Sequence, residues 1–202
     1  MSSDGRNTRA GRQGDEREHE RRHGRRSAVP ARGRRDGSVL IVVCGLPGVG
    51  KTSVAERVAT RAEGTLLRTD VVRKERYPDP DYTSEETDAV YADLLDRAES
   101  LLEAGDTVVL DGTFRRERRR EDAKRIAADA DAEFRLLKVE CDEAVVRERI
   151  ANRTDDESDA DFEVHRLLRE EFDPVAVGHA TVDNSGAPEE TTARVDGLFP
   201  TP

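Results

Sequence analysis

Apolar residues in this chain fall into two kinds of stretch. Short unbroken runs are separated by longer segments in which apolar residues recur every third or fourth position. Residues 39–44, Val-Leu-Ile-Val-Val-Cys, form a continuous run of strand length. The runs at 65–69, 107–110, 134–139 and 180–183 read as four more strands. Between them the spacing predicts helices. One covers 51–63 and is closed by Gly64 as its C′ residue. After a loop marked by Pro78 and Pro80, Thr83-Ser84-Glu85-Glu86 forms a capping box. The helix it opens buries Val90, Tyr91, Leu94, Leu95, Ala98, Leu101 and Leu102, and Gly105 ends it. A charged helix follows over 116–130. Another is capped by Asp142, runs through Arg153 and turns Val145, Val146 and Ile150 inward. An acidic loop at 154–161 leads to a helix over 161–172 carrying Phe162, Val164, Leu167 and Leu168, and a last helix covers 191–198. Continuous apolar strands alternating with helices predict a parallel sheet covered on both faces, an α/β fold.

Residues 1–37 break this pattern. They are almost without apolar side chains and cannot bury enough surface to offset the entropy of ordering, so the sequence predicts a disordered basic tail ahead of a domain at 38–202. The tail reads either as a tether for nucleic acid or an acidic partner, or as a solvated extension ahead of the true domain. Its 11 Arg against 6 acidic residues make it +5; the remainder, with 23 basic and 38 acidic residues, is −15, within a total of −10. Only Lys51, Lys74, Lys124 and Lys138 are lysines. An acidic, Lys-poor body resembles proteins of halophilic organisms, in whose medium charge interactions are heavily screened.

Cys44 and Cys141 lack a metal-ligand spacing and read as reduced thiols of a cytoplasmic protein. No apolar run approaches the roughly 18 residues that span a membrane. The Arg-rich start has no apolar segment of the secretory kind.

The first strand runs into Gly45-Leu46-Pro47-Gly48-Val49-Gly50-Lys51-Thr52-Ser53. Strand, G-x-x-x-x-G-K-T and helix together are the P-loop pattern in its expected context. The glycines let the backbone curl so that successive N–H groups can face one centre, and the next helix adds its positive end. Lys51 would reach the β- and γ-phosphates of ATP, and Thr52 would bind Mg²⁺ through its hydroxyl. In a parallel sheet ligands gather at the carboxyl ends of strands, where Asp70 and Asp111 are predicted. Asp111 reads as a second Mg²⁺ ligand, or as a turn aspartate. Asp70 and Arg73 stand in a D-x-x-R spacing that puts both on one helix face. A carboxylate there could accept a hydroxyl proton while the guanidinium holds an anion; the plain alternative is a capping Asp with a surface Arg. In Arg115-Arg116-Glu117-Arg118-Arg119-Arg120 the first members could meet an anionic substrate, and the later ones read as solvated. His165 and His179 read as structural.

These motifs resemble the P-loop small-molecule and polynucleotide kinases, a group often labelled as an AAA-type ATP-binding domain. The matching parts are G-L-P-G-V-G-K-T at 45–52, R-T-D-V-V-R at 68–73, V-V-L-D-G-T-F at 108–114, and the Arg-rich segment 147–153 before S-D-A-D at 158–161. They cover about residues 38–185. The resemblance implies a three-layer fold of the nucleoside-monophosphate-kinase type, with a five-stranded parallel sheet and strand 3 beside strand 1. It implies ATP and Mg²⁺ as cofactors, and transfer of the γ-phosphate to a hydroxyl of a small molecule, nucleotide or polynucleotide. In polynucleotide 5′-hydroxyl kinases of this kind an Asp matching Asp70 is the general base and an Arg matching Arg73 binds substrate phosphate. Adenylylsulfate kinases and zeta-toxin-like kinases are arranged comparably. Such kinases close an Arg-bearing lid over the triphosphate, the region of Arg147, Arg149 and Arg153. Arg149 and Arg153, four apart, share a helix face.

Two other functions fit the sequence: a regulatory P-loop ATPase with no acceptor, and an ATP-gated nucleic-acid-binding protein using the tail. The acidic body, in a chain only 4% aromatic, speaks against base stacking.

Overall fold

A computed structural model describes residues 37–152 and 162–199. The basic tail predicted over 1–37 therefore lies outside the described residues except for Gly37, as do Arg153 and the acidic loop that follows it.

The five apolar runs form β1 (Val39–Cys44), β2 (Thr65–Arg68), β3 (Val108–Asp111), β4 (Glu133–Glu140) and β5 (Ala180–Asp183). They build one five-stranded sheet in the order β2-β3-β1-β4-β5, parallel at every pairing. The most apolar strand, β1, is central, with every residue after Val39 buried. Its side chains alternate. Leu40, Val42 and Cys44 point into one core, with Val72, Leu94, Leu110 and Ala123. Ile41 and Val43 point into the other, with Val54, Val58, Val146, Val182 and Val195. Each such buried side chain contributes about 1.5–3 kcal/mol of transfer free energy.

The first core is covered by α2 (Thr69–Arg76), α3 (Ser84–Glu103) and α4 (Glu117–Asp129). The second is covered by α1 (Lys51–Arg61), α5 (Glu143–Ala151) and α7 (Pro188–Leu198). The result is the predicted three-layer α/β fold, with β3 beside β1. One further helix, α6 (Phe162–Glu170), carries Val164 and Leu167 with much of their surface exposed, while His165 is its buried residue. Among the described residues no helix is long and apolar enough to cross a membrane.

Three expectations are corrected. Helix α1 ends at Arg61, and the left-handed residue after it is Glu63 (φ 49°), not Gly64. Gly64 sits one place further on. Its N–H bonds to the Ala59 carbonyl at 2.9 Å, and a Cβ there would lie 3.0 Å from the Thr107 side chain, a tight contact that the glycine avoids. Asp70 belongs to the first turn of α2 and not to the end of β2, because the chain turns helical at Thr69. The Arg run is not solvated at its end. Arg119 is 8% exposed and Arg120 fully buried, because Arg119 lies over the Tyr91 ring of α3 and Arg120 is enclosed by the carbonyls of Phe114, Arg115, Asp173 and Pro174.

Candidate active site

The loop between β1 and α1 is held from outside by three side chains. The Lys51 ammonium donates to the Leu46 carbonyl at 2.9 Å. His165 Nδ1 lies 2.7 Å from the Pro47 carbonyl, and Asn184 Nδ2 donates to the Val49 carbonyl at 2.7 Å. Asn184 is held in turn by the Thr191 hydroxyl, 2.7 Å from its Oδ1. Two glycines are required by this packing. Gly48 (φ 81°) lies under α5, where a Cβ would come within 2.8 Å of Val146 and Ile150. Gly50 (φ 85°) would place a Cβ 2.2 Å from Asn184 Nδ2. Gly50 is also the N-cap of α1 and has no side chain to cap it.

At the start of α1, the Thr52 hydroxyl donates to Asp111 Oδ2 at 2.8 Å. Asp111 ends β3 and is 3% exposed. Arg68, at the end of β2, bridges the pair. Its Nε is 3.3 Å from Asp111 Oδ2 and its Nη2 donates to Thr52 Oγ1 at 3.2 Å. The other carboxylate oxygen, Asp111 Oδ1, is buried without a hydrogen-bond partner. An orphaned carboxylate oxygen beside a hydroxyl on a helix N-terminus is the hard-oxygen donor set that Mg²⁺ takes. The residues present thus fit the metal.

Next to this cluster is a cavity of about 540 Å³. It is lined by Gly48, Gly50, Lys51, Thr52 and Asp111, and with them by Asp70, Arg73, Tyr82, Tyr91, Arg115 and Glu171. Arg73 Nη2 donates to Thr87 at 3.2 Å, and its guanidinium lies 4.8 Å from the Tyr82 ring centroid. The Tyr91 hydroxyl accepts the Phe114 N–H at 2.9 Å, and burial pushes its phenol above the ordinary tyrosine range.

Of the residues singled out in the sequence, Pro47, Gly48, Gly50, Lys51, Thr52, Ser53, Asp70, Arg73 and Asp111 line this one cavity. Gly45, Leu46 and Val49 face a second cavity on the other side of the loop. Arg149 is not in the first cavity. Its Nη1 lies 3.5 Å from the Cys141 thiol and 3.4 Å from the Cβ position of Gly50, beside the loop. Burial raises the Cys141 thiol above its usual range, with Arg149 pulling the other way. Arg153 lies outside the described residues.

Arg68, Tyr82, Tyr91, Glu171 and Asn184 were not legible as site residues. Arg68 stood inside a matched motif without a role, and Tyr91 read only as a core position. Asn184 meets its carbonyl partner across 135 residues, a relation that no local spacing encodes.

The chain is 29% identical over 167 residues to the uncharacterized protein Rv2004c of Mycobacterium tuberculosis, an alignment covering 77% of this chain and 33% of that protein. It therefore spans about a third of the length of the curated relatives it matches. Among solved structures, a gluconokinase from Sinorhizobium meliloti superposes with a TM-score of 0.58 at 20% identity, over 81% of this chain and 93% of that one. The Mycobacterium tuberculosis APS kinase CysC, in complex with AMPPNP and APS, superposes with a TM-score of 0.60 at 17% identity, over 80% of this chain and 96% of that one. Residues 40–175 match the model of the family described as AAA domain. The chain belongs to this AAA-domain family and has the fold of the P-loop kinases.

Proposed function

We propose that the protein is an ATP-dependent phosphotransferase, moving the γ-phosphate of ATP to a hydroxyl of an acceptor held in the 540 Å³ cavity. The observation that carries this reading is that one cavity is lined both by Lys51 and Thr52 and by Asp70 and Arg73. Nucleotide binding alone needs only the first pair.

The backbone of residues 45–53 and the N-terminus of α1 would cradle the phosphates, with Lys51 moving from the Leu46 carbonyl to the β- and γ-phosphates. Thr52 and Asp111 would hold Mg²⁺, whose charge, when bound, offsets that of the phosphates. Asp70 would accept the proton of the attacking hydroxyl. The acceptor oxygen then bonds to the γ-phosphorus as the bond to the β–γ bridging oxygen breaks, and ADP leaves. Arg73 would position the acceptor. We assign Arg149, beside the loop, and Arg153 to the charge that develops on the transferring group. The two free cysteines and the acidic, Lys-poor composition support a cytoplasmic, salt-adapted setting.

The test is to follow labelled γ-phosphate from ATP across a panel of hydroxyl compounds. Stable transfer to an acceptor supports the reading. Release of inorganic phosphate alone, indifferent to every acceptor, would replace it with a regulatory ATPase.

A further inference from the structure

The cavity carries a chemical preference for its acceptor, and reading it rests on the phosphotransferase assignment above. Two guanidinium groups line it, Arg73 and Arg115. Each is already matched by a carboxylate. Arg73, 8% exposed, has Nη1 3.8 Å from Glu86 Oε2. Glu86 is itself fixed, because it accepts the backbone N–H of Tyr82 at 2.8 Å and that of Asp81 at 3.3 Å. Arg115 donates to Glu171 Oε2. The neighbouring Arg116 also reaches Glu171, at 3.0 Å, and is balanced by Asp173 at 3.6 Å. Asp70 adds a carboxylate to the same lining. Among the described residues, Arg73 and Arg115 thus face three carboxylates: Asp70, Glu86 and Glu171.

A phosphate, sulfate or carboxylate on the acceptor would have to displace one of these carboxylates from its arginine, or sit against Asp70 and Glu171 unpaired. Both are costly, since either leaves a charge without its partner. Part of the remaining surface is apolar. Val164, Leu167 and Leu168 of α6 line the cavity beside the Tyr82 ring. Leu167 is 56% exposed and Tyr82 50% exposed, so a ligand with an apolar face would cover surface that is otherwise in water. Arg73 itself donates through Nη2 to Thr87, and its Nη1, the atom beside Glu86, is buried.

We infer that the acceptor is an uncharged hydroxyl compound with an apolar face, of the nucleoside or aryl-glycoside kind, and not an anion. In the transfer its hydroxyl proton passes to Asp70, its oxygen bonds to the γ-phosphorus, and ADP departs with the β–γ bridging oxygen. Asp70 then returns the proton to water.

The experiment compares matched acceptors on the full chain with Mg²⁺ and ATP. A nucleoside is set against its 3′-monophosphate, both keeping the 5′-hydroxyl, and phenyl glucoside is set against glucose. The neutral nucleoside should exceed its anionic partner in kcat/KM by about 100-fold, and the phenyl ring should contribute about tenfold over glucose. Glu171→Gln removes one carboxylate and should shift the nucleoside pair toward the anion by about tenfold. A wild-type preference for the anionic member, or an unmoved ratio in Glu171→Gln, overturns the acceptor class while leaving the phosphotransferase reading in place. Absence of transfer to every member, in protein that binds AMPPNP, overturns that reading and the acceptor class with it.

Discussion

The Thr52 hydroxyl donates to the Asp111 carboxylate at 2.8 Å, across 59 residues of sequence. The contact exists because β3 inserts beside β1, with Val43 in register with Asp111. The end of β3 is thereby brought to the first turn of the helix that follows β1. Everything proposed for the phosphate site depends on this adjacency.

Lys51→Ala should weaken AMPPNP binding roughly 10–100-fold, the range of one lost charge-assisted hydrogen bond. Lys51 is only partly buried and belongs to neither core, so the melting temperature should barely move. Titration calorimetry and thermal melts on one preparation check both statements. Full affinity in the folded variant would remove Lys51 from the phosphate site.

Asp70→Asn keeps the side-chain shape and removes the base. Phosphoryl transfer should fall by roughly 10²–10⁴-fold. AMPPNP affinity should hold, because Lys51, Thr52 and Asp111 are untouched. Loss of both together would move Asp70 from proton transfer to a structural or metal role.

Gly50→Ala meets two separate penalties. A φ of 85° costs a non-glycine residue about 1–2 kcal/mol, and the new Cβ would lie 2.2 Å from Asn184 Nδ2. In an Asn184→Ala background only the backbone penalty remains. Urea unfolding of the four proteins of the cycle should show Gly50→Ala costing less in that background. Equal costs would show that Asn184 does not press on the loop.

Arg120 is the tie between the start of α4 and the segment after α6. It donates to the carbonyls of Phe114 at 2.7 Å, Arg115 at 3.1 Å, Asp173 at 3.1 Å and Pro174 at 2.7 Å. Arg120→Met leaves those carbonyls unmatched and should cost roughly 3–5 kcal/mol in denaturant unfolding. Arg118→Met, two residues earlier and exposed, should stay within about 0.5 kcal/mol. Similar small effects at both positions would contradict the buried role of Arg120.

Helices α1 and α7 are joined by Asp196, which accepts from Arg57 Nε at 2.7 Å. The hydrogen bond from Arg57 holds the Asp196 carboxyl below the ordinary aspartate range. A depressed carboxyl contributes stability above its unfolded value, about 3.9, and loses it as pH falls through the lower folded value. Asp196→Asn should therefore lower the melting temperature at pH 7 and converge with wild type in strong acid. A gap of constant size down to the lowest pH would assign the effect to something other than this ionisation. High salt should narrow the gap at pH 7, since the pair is about a third exposed.

How far the sequence reached follows from the range of the physics involved. The alternation of apolar runs and helical periods is local, and hydrophobic burial acts on it residue by residue. That was enough to determine five strands, six of the seven described helices at nearly their true places, all but the one that starts at Thr69, and a sheet covered on both faces. The loop at 45–53 was legible for the same reason, since its glycines answer to backbone conformation within a few residues. That β3 lies beside β1 went further than local pattern and came from the family resemblance; the rest of the strand order came from the structure. What only the tertiary structure decided were the partners of charged and polar groups. Arg119 and Arg120 look like solvated members of an Arg run, yet they are buried because the α4 face that carries them meets other elements. The spacing of Arg73 does not record that Glu86 and the Tyr82 ring stand around it. Asn184 and Arg68 had no signal at all, for their partners stand in elements distant in sequence. A charge's role is set by what it faces once buried, and facing is a property of packing between elements, which no spacing along one element records.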